Sequence, residues 1–400
     1  MLSGSLLLKN VRPDGGPTVD MRIDHGDIAE VGRTLAAGAP GREVIDGRNA
    51  IVIPGFVEAH THLDKTLWGR PWHSNQAGPR LLDRIENERL LRSQLNLDPA
   101  LQSKRQALQS IQMGTTHIRT HVDIDTEIGL KHLEGVLATR ERLHPYIDIE
   151  IVAFPQSGML VRPGTVDLLD TALRSGADLI GGIDPSAIDR DPVRHLDTIF
   201  ALAEKHGKAV DIHLHEPSEL GAFAIELIIE RTRALGLQGK VMISHAFCLG
   251  MVDEATLAAL LQSLAENRIA IMTTGPAGRP CPSIRRLRDA GVVVCSGSDG
   301  IRDTWGPYGN ADMLERATLL AMRNNLRKDA ELELCLDVVT YGGSAALGLA
   351  TYGVTPGCRA DLVLLDYETR AEAVVSKGPR ALVVKGGRVV ARDGECLVPA

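Results

Sequence analysis

Residues 52–65, VIPGFVEAHTHLDK, open the part of the chain whose reading decides the fold. Residues 52–56 form a short apolar run of strand type, and an extended segment carries on to His60 and His62. Side chains two residues apart on extended backbone point to one side. Two neutral imidazoles converging at a strand end make half a site for zinc or iron. A lone His-x-His is common, so the rest of the chain has to supply the other half.

Outward from this stretch the chain alternates. Apolar runs at 117–122, 149–154, 179–183, 209–212, 240–244, 269–273 and 291–295 read as buried parallel strands. Helical patterns lie between them, at 98–113, 130–143, 166–175, 193–206, 221–235, 253–266 and 282–289. With 52–56 as the first strand, the pattern is that of a (β/α)8 TIM barrel. The two chain ends differ from the middle. Runs at 5–10, 19–24 and 28–32, and at 360–366, 381–385 and 387–391, read as short strands joined by Asp/Gly turns. Neither set can bury a core alone, so the two are expected to pair into one small β domain. The expected division is 1–51 and 351–400 for the two parts of that domain, and 52–350 for the barrel.

Composition narrows the function. The chain has 400 residues, 44% hydrophobic and 24% charged, which is ordinary for a globular enzyme. Its net charge of −7, without a Lys/Arg block, argues against nucleic acid or an anionic membrane as partner. No run of apolar residues is long enough to span a bilayer. Residues 1–10 turn polar too soon for a signal peptide. Cys248, Cys281, Cys295, Cys335, Cys358 and Cys396 show no paired spacing, which fits free thiols in the cytoplasm.

A barrel of this kind places its chemistry at the C-terminal ends of its strands. The fifth strand runs into His213-Leu214-His215-Glu216, the sixth into Ser244-His245, and the eighth into Ser298-Asp299-Gly300. His213 is the natural third ligand beside His60 and His62, and His245 and Asp299 follow in barrel order.

A longer set of motifs runs through the barrel region: His60-Thr61-His62-Leu63-Asp64, Arg119-Thr120-His121-Val122-Asp123, Val152-Ala153-Phe154-Pro155-Gln156, Asp211-Ile212-His213, Ser244-His245, and Ser298-Asp299 followed by Trp305 and Asn310. In these the chain resembles the amidohydrolase superfamily, and within it the cytosine deaminase branch. It is at least as similar to the N-isopropylammelide isopropylaminohydrolases of that branch, through Leu63-Asp64-Lys65, Gln156-Ser157-Gly158, Gly181-Gly182-Ile183-Asp184-Pro185, His213/His215 and Ile301-Arg302-Asp303. The resemblance implies a (β/α)8 barrel with a small β-sandwich built from both chain ends, and a homo-oligomer. It implies one divalent metal ion per subunit, zinc or iron, held by His60, His62, His213 and Asp299. His245 and Asp299 would orient a water and take its proton, and Glu216 would carry a proton to a ring nitrogen of the substrate. Gln156 would bind the amide-like edge of the ring. Other superfamily members bridge two metals with a carboxylated lysine on the fourth strand. The strand ending Ile151-Val152-Ala153-Phe154-Pro155-Gln156, read as that one, has no lysine, so a single metal is expected.

Departures from the resemblance bear on the substrate. Cytosine deaminase has a second Asp after the metal-binding one; here the position is Gly300, leaving no carboxylate. Lys65 replaces a Thr, and His215 an Asp. Glu216 stands where the isopropylaminohydrolase has Asp. A cation suits a substrate with more carbonyl or anionic character than cytosine, although Lys65 also fits a structural pairing with Asp64 or Glu58. Asp184 would contact substrate or cap the next helix. Trp305 and Phe154 would wall a flat ring or pack in the core. His121 and Asp123 are expected to support the site from beneath, and Arg302 to pair with Asp303. The expected activity is hydrolytic removal of an amino or alkylamino group from a small nitrogen heterocycle, pyrimidine or triazine. The alternatives are a ring-opening cyclic amide hydrolase and a non-catalytic binding barrel.

Overall fold

Eight parallel strands follow one another around a barrel in chain order: Phe56–Thr61, Thr115–Asp123, Asp148–Phe154, Leu179–Ile183, Ala209–His213, Val241–Ser244, Ala270–Met272 and Val294–Cys295. The structure is a computed structural model, and it describes residues 5–36 and 42–399. The first and eighth strands close the ring. Ala59 N donates to Ser296 O at 3.2 Å, and Thr61, the last residue of the first strand, forms a parallel bridge with Asp299, just past the eighth.

The first barrel strand begins at Phe56, not at residue 52. Residues Ile51–Pro54 pair instead with Leu362–Leu365, antiparallel, and with Arg12 and Pro13, parallel. Sequence alone could not separate the two, because both strands are buried on every residue and so read as one apolar run. Gly55 is the joint between them. It lies so close to Thr116 that a Cβ there would meet Thr116 Cγ2 at 2.2 Å.

Among the described residues, nine strands from both chain ends make the small domain. Its sheet folds over a core in which Leu6, Leu8, Met21 and Ile23 meet Leu362, Leu364, Leu382 and Val384. The alternate residues of the same strands, Ile51, Ile53, Val363, Leu365 and Val383, join the barrel core instead. Period-2 alternation thus lets the central strands of the sandwich seal two cores at once.

The seven helices read between the strands are present within three residues of their expected ends, for example Pro99–Gln112 capped by Asp98. Among the described residues five helices were not foreseen: Leu81–Leu95, Met313–Arg323, Asp329–Val338, Tyr341–Leu347 and Arg370–Ser376. Leu81–Leu95 buries only Ile85 and Glu88, so it lacks an apolar stripe to betray it. Ile85 packs with Phe154, Ile183 and Ile188, which lays this helix over the C-terminal ends of the third and fourth strands. Among the described residues no helix is long and apolar enough to cross a membrane.

Gly55→Ala should destabilise the fold by about 1–3 kcal/mol, the usual cost of overpacking a filled core. Denaturant unfolding should show a lower midpoint at unchanged slope; an unaltered midpoint would show that Thr116 moves aside freely.

Candidate active site

His60, His62, His213 and Asp299 converge at the C-terminal mouth of the barrel, with one ligand atom from each lying within 4.8 Å of the others. Asp299 Oδ1 is 3.1 Å from His62 Nε2 and 3.6 Å from His60 Nε2. His60 Nε2 and both ring nitrogens of His213 are buried without a hydrogen-bond partner. An orphaned buried polar atom costs roughly 1–3 kcal/mol, and a metal ligated there removes that cost. The donor set of three imidazoles and a carboxylate suits zinc or iron. Two further groupings among the described residues are poorer candidates. That of His117, Asp148 and Asp361 already holds the ammonium of Lys385, at 2.6 Å from Asp148 and 2.8 Å from Asp361. That of His60, His121 and Asp211 shares a residue with the first. Its Asp211 is engaged by Ser244 Oγ at 2.7 Å and Arg119 at 3.4 Å.

Those last contacts orient the site. Ser244 Oγ donates to Asp211, which leaves it to accept from His60 Nδ1 at 2.9 Å. The chain of bonds puts the proton of His60 on Nδ1 and directs the bare Nε2 at Asp299. His213 is held by a face-to-face stack on Phe154, with ring centroids 4.1 Å apart. His121 lies beneath, 4.1 Å from the ring of His60, and supports it by contact.

Glu216 and His215 follow His213 on one tight strand end. Glu216 Oε1 accepts from the backbone of Ser186 and Ala187 at 2.7 and 2.8 Å, while Oε2 is buried without a partner. Burial, with a smaller push from Asp184, raises this carboxyl to about 7. Both carboxylate oxygens of Asp184 are engaged at this strand end. Its Oδ2 lies 2.7 Å from His215 Nδ1, and its Oδ1 accepts from the backbone of His215 and Glu216. His215 in turn stacks on His245, 4.3 Å between centroids, and His245 Nε2 stands 4.0 Å from Asp299 Oδ2. Asp184, His245 and Asp299 all have left-handed backbone, at φ 36°, 73° and 60°. Such conformations cost of order 1–3 kcal/mol each and gather where a site must be aimed.

One cavity of about 990 Å3 opens onto this centre and is lined by His62, His213, His245 and Asp299. Lys65, Gln156, Phe154, His215 and Trp305 line it too. Lys65 pairs with neither Asp64 nor Glu58. Its ammonium donates to Asp123 at 3.1 Å and to Gln156 Oε1, with Glu88 at 3.5 Å and the Trp305 ring at 5.6 Å. Burial works against the charge, but Asp123, Glu88 and Asp64 together hold Lys65 above its ordinary pKa. Gln156 Nε2 donates to Asp123 at 3.2 Å, and the same amide also bears on the Glu88 carboxylate.

Three expectations need correction. Position 300 does not leave the pocket without a carboxylate. Asp303 Oδ1 accepts from the backbone of Trp305 and Gly306, and this turn folds the side chain back into the space of the missing one. A Cβ on Gly300 would lie 1.9 Å from Asp303 Oδ2. Arg302 does not pair with Asp303; its guanidinium covers the Trp68 ring at 4.4 Å. The strand that ends at Phe154 is the third, because Phe56–Thr61 and Thr115–Asp123 precede it. The fourth, Leu179–Ile183, runs into Asp184 and carries no lysine either. Asp303 and Glu88 were not singled out as site residues. The first acts through a turn four residues past Asp299, the second from a helix without an apolar pattern.

The sequence pattern of the amidohydrolase family matches residues 43–391. The chain belongs to the amidohydrolase family. It is a hydrolase of carbon–nitrogen bonds. Over 366 residues this amidohydrolase is 31% identical to the N-isopropylammelide isopropyl amidohydrolase of Pseudomonas sp. strain ADP, covering 88% of this chain and 89% of that one. The crystal structure of an N-isopropylammelide isopropylaminohydrolase from Burkholderia multivorans superposes with a TM-score of 0.96 at 50% identity, over 98% of this chain and 100% of that one. The 5-methylcytosine deaminase of Klebsiella pneumoniae, solved with 5-fluorocytosine, gives 0.86 at 27% identity, over 98% and 99%.

Two substitutions test the metal centre. His213→Ala should abolish metal retention through gel filtration, measured as metal content per chain. Ser244→Ala should keep all four donors yet weaken affinity by roughly 10–100-fold in competition with a chelator, since it frees the His60 tautomer. Equal affinity in parent and Ser244→Ala would remove Ser244 from the orienting chain.

Proposed function

We propose that this amidohydrolase is a metal-dependent aminohydrolase that removes an amino or alkylamino group from a small nitrogen heterocycle, pyrimidine or triazine. The observation that carries the reading is the pairing of the His60–His62–His213–Asp299 donor set with a free carboxyl oxygen, Glu216 Oε2, three residues past His213 on the same strand end. The relatives support it, since their names join ammelide and cytosine substrates to one fold.

When bound, a zinc or iron ion supplies hydroxide near neutral pH by lowering the pKa of water. The chain supplies the rest. Gln156 takes the amide-like edge of the ring with its carboxamide, which offers both donor and acceptor. Lys65 and Asp303 face the same cavity with a fixed positive charge and a carboxyl raised by burial to about 6, a pairing suited to carbonyl oxygens and ring N–H groups. Phe154 and Trp305, which pack in one cluster, add flat apolar surface to the cavity wall. His245 and Asp299 hold the proton that the attacking water gives up. Glu216 delivers a proton to the ring nitrogen next to the attacked carbon, which neutralises the charge that attack pushes there. The proton held at Asp299 and His245 then passes to the departing nitrogen, which leaves as ammonia or amine. The six free cysteines fit a reducing compartment, and a cytoplasmic location goes with this reading.

Release of ammonia and amine from metal-loaded protein should be measured on cytosine, 5-substituted cytosines, ammelide and N-alkylammelides. Amine or ammonia from any of these supports the reading, and silence across all of them with metal bound would sink it. Glu216→Gln should retain metal but lower kcat by about 100-fold or more. Because the Glu216 carboxyl titrates at about 7, its proton-donor form is lost as pH rises. The rate should therefore fall on the alkaline side with a midpoint near that pH, and a profile flat from pH 6 to pH 8 would contradict the assignment.

A further inference from the structure

The cavity is larger than a single six-membered ring requires. At about 990 Å3 it lies at the top of the range for much larger ligands. Its outer part is bounded by residues that reach solvent, such as Tyr308 and Met322, and by two arginines that meet there from different elements. Arg84 comes from the helix Leu81–Leu95, and Arg279 from the loop after the seventh barrel strand. Arg279 lies over the Phe247 ring at 5.1 Å. Among the described residues neither guanidinium has a hydrogen bond or an ion pair to a protein group. Burial and then the charge of Arg84 draw Arg279 below its ordinary pKa, so the two positive charges feel each other across the cavity wall.

The surroundings offset them only in part: Asp184 acts on Arg279 through its charge, without an ion pair. Arg316 and Arg323 line the same cavity and donate only to carbonyl oxygens, of Thr274, Ser298, Pro276 and Arg279. Of the lining carboxylates, Asp312 is paired with Arg380, Glu315 accepts from Asn310, Asp303 accepts from the backbone of Trp305 and Gly306, and Asp299 belongs to the donor set. A cationic wall is not the background of this chain, whose net charge is −7. An arginine fork matches a planar or tetrahedral oxyanion, and an exposed ammonium does so less well.

We propose that Arg84 and Arg279 form a second recognition subsite, which binds an oxyanion carried on an arm of the heterocyclic substrate. The inference rests on the aminohydrolase reading for the ring end of the cavity. It adds that the substrate is a heterocycle extended by a carboxylate or a phosphate, and that the helix Leu81–Leu95 is tied down by that group when substrate is bound.

The test uses three probes, ammelide bearing a short N-linked alkyl arm that ends in carboxylate, in phosphate or in neutral carboxamide. Dissociation constants are measured by calorimetry on the metal-loaded protein and on Arg84→Gln and Arg279→Gln. At least one anionic probe should bind about 10-fold or more tightly than the carboxamide, and the stronger of the two identifies the anion. In each variant that preference should fall toward unity, with the carboxamide probe as the internal control for folding. Equal affinity of the three probes for the parent protein, or an anion preference that survives both substitutions, overturns the subsite. Amine release from the same probes separates this inference from the reading it rests on. Release from all three alike, without anion preference, leaves the aminohydrolase standing and removes the subsite. Anion-dependent binding without release from any probe does the reverse.

Discussion

Between Thr61 and Asp299 the first and eighth barrel strands meet at the seam of the ring, and the seam is also the site. Asp299 N donates to His60 O at 2.9 Å, and Thr61 Oγ1 donates to Asp299 O at 2.9 Å. Closure therefore delivers the carboxylate of one strand end to the two imidazoles of the other. The approach is close enough that a Cβ on Gly297 would meet His60 O at 2.3 Å, so the residue before Ser298 has to be glycine. Parallel strands put every C-terminal end on one face of the barrel, which is why His213 and His245 join the same centre from strands far away in sequence.

Beneath the cavity a second set of charges sets the shape of the pocket. Lys65, Glu88, Arg92 and Asp123 form a buried network, with Arg92 2.9 Å from Asp123 and 2.6 Å from Asp125. Buried ion pairs seldom add net stability, because desolvation offsets the attraction. What this network does is fix positions. It anchors a helix that has almost no apolar face to the mouth of the barrel, and it holds Lys65 and Gln156 at the cavity wall. The outermost charges, Arg84 and Arg279, have no such partners, and the contrast between the two arginine environments is what separates scaffold from candidate binding surface.

The elements legible in the sequence were those with a local signature. Alternating apolar runs and capped helices reported the barrel, and Asp98 before Pro99 marked a helix start that the structure keeps. The donor residues were legible because they sit at strand ends with fixed spacing, as in His60-Thr61-His62. What stayed hidden was decided by contacts between distant segments. The break at Gly55 could not be seen because strands on both sides of it are buried on both faces. The helix Leu81–Leu95 gave no periodic signal because its inward face carries Glu88 and reaches Arg92 to partners on the second strand.

The sequence by itself determined the barrel, the small domain built from both ends, and the donor set at the strand ends, because each depends on residue type and spacing along the chain. Only the tertiary structure decided which groups are free to act. Asp184 was taken up by His215 and the backbone of Glu216, and Asp303 was turned into the space left by Gly300. Glu216 keeps one oxygen unpartnered, as do Arg84 and Arg279 their guanidinium groups. Whether a polar side chain is satisfied depends on neighbours brought in through space, and spacing along a chain holds no record of them.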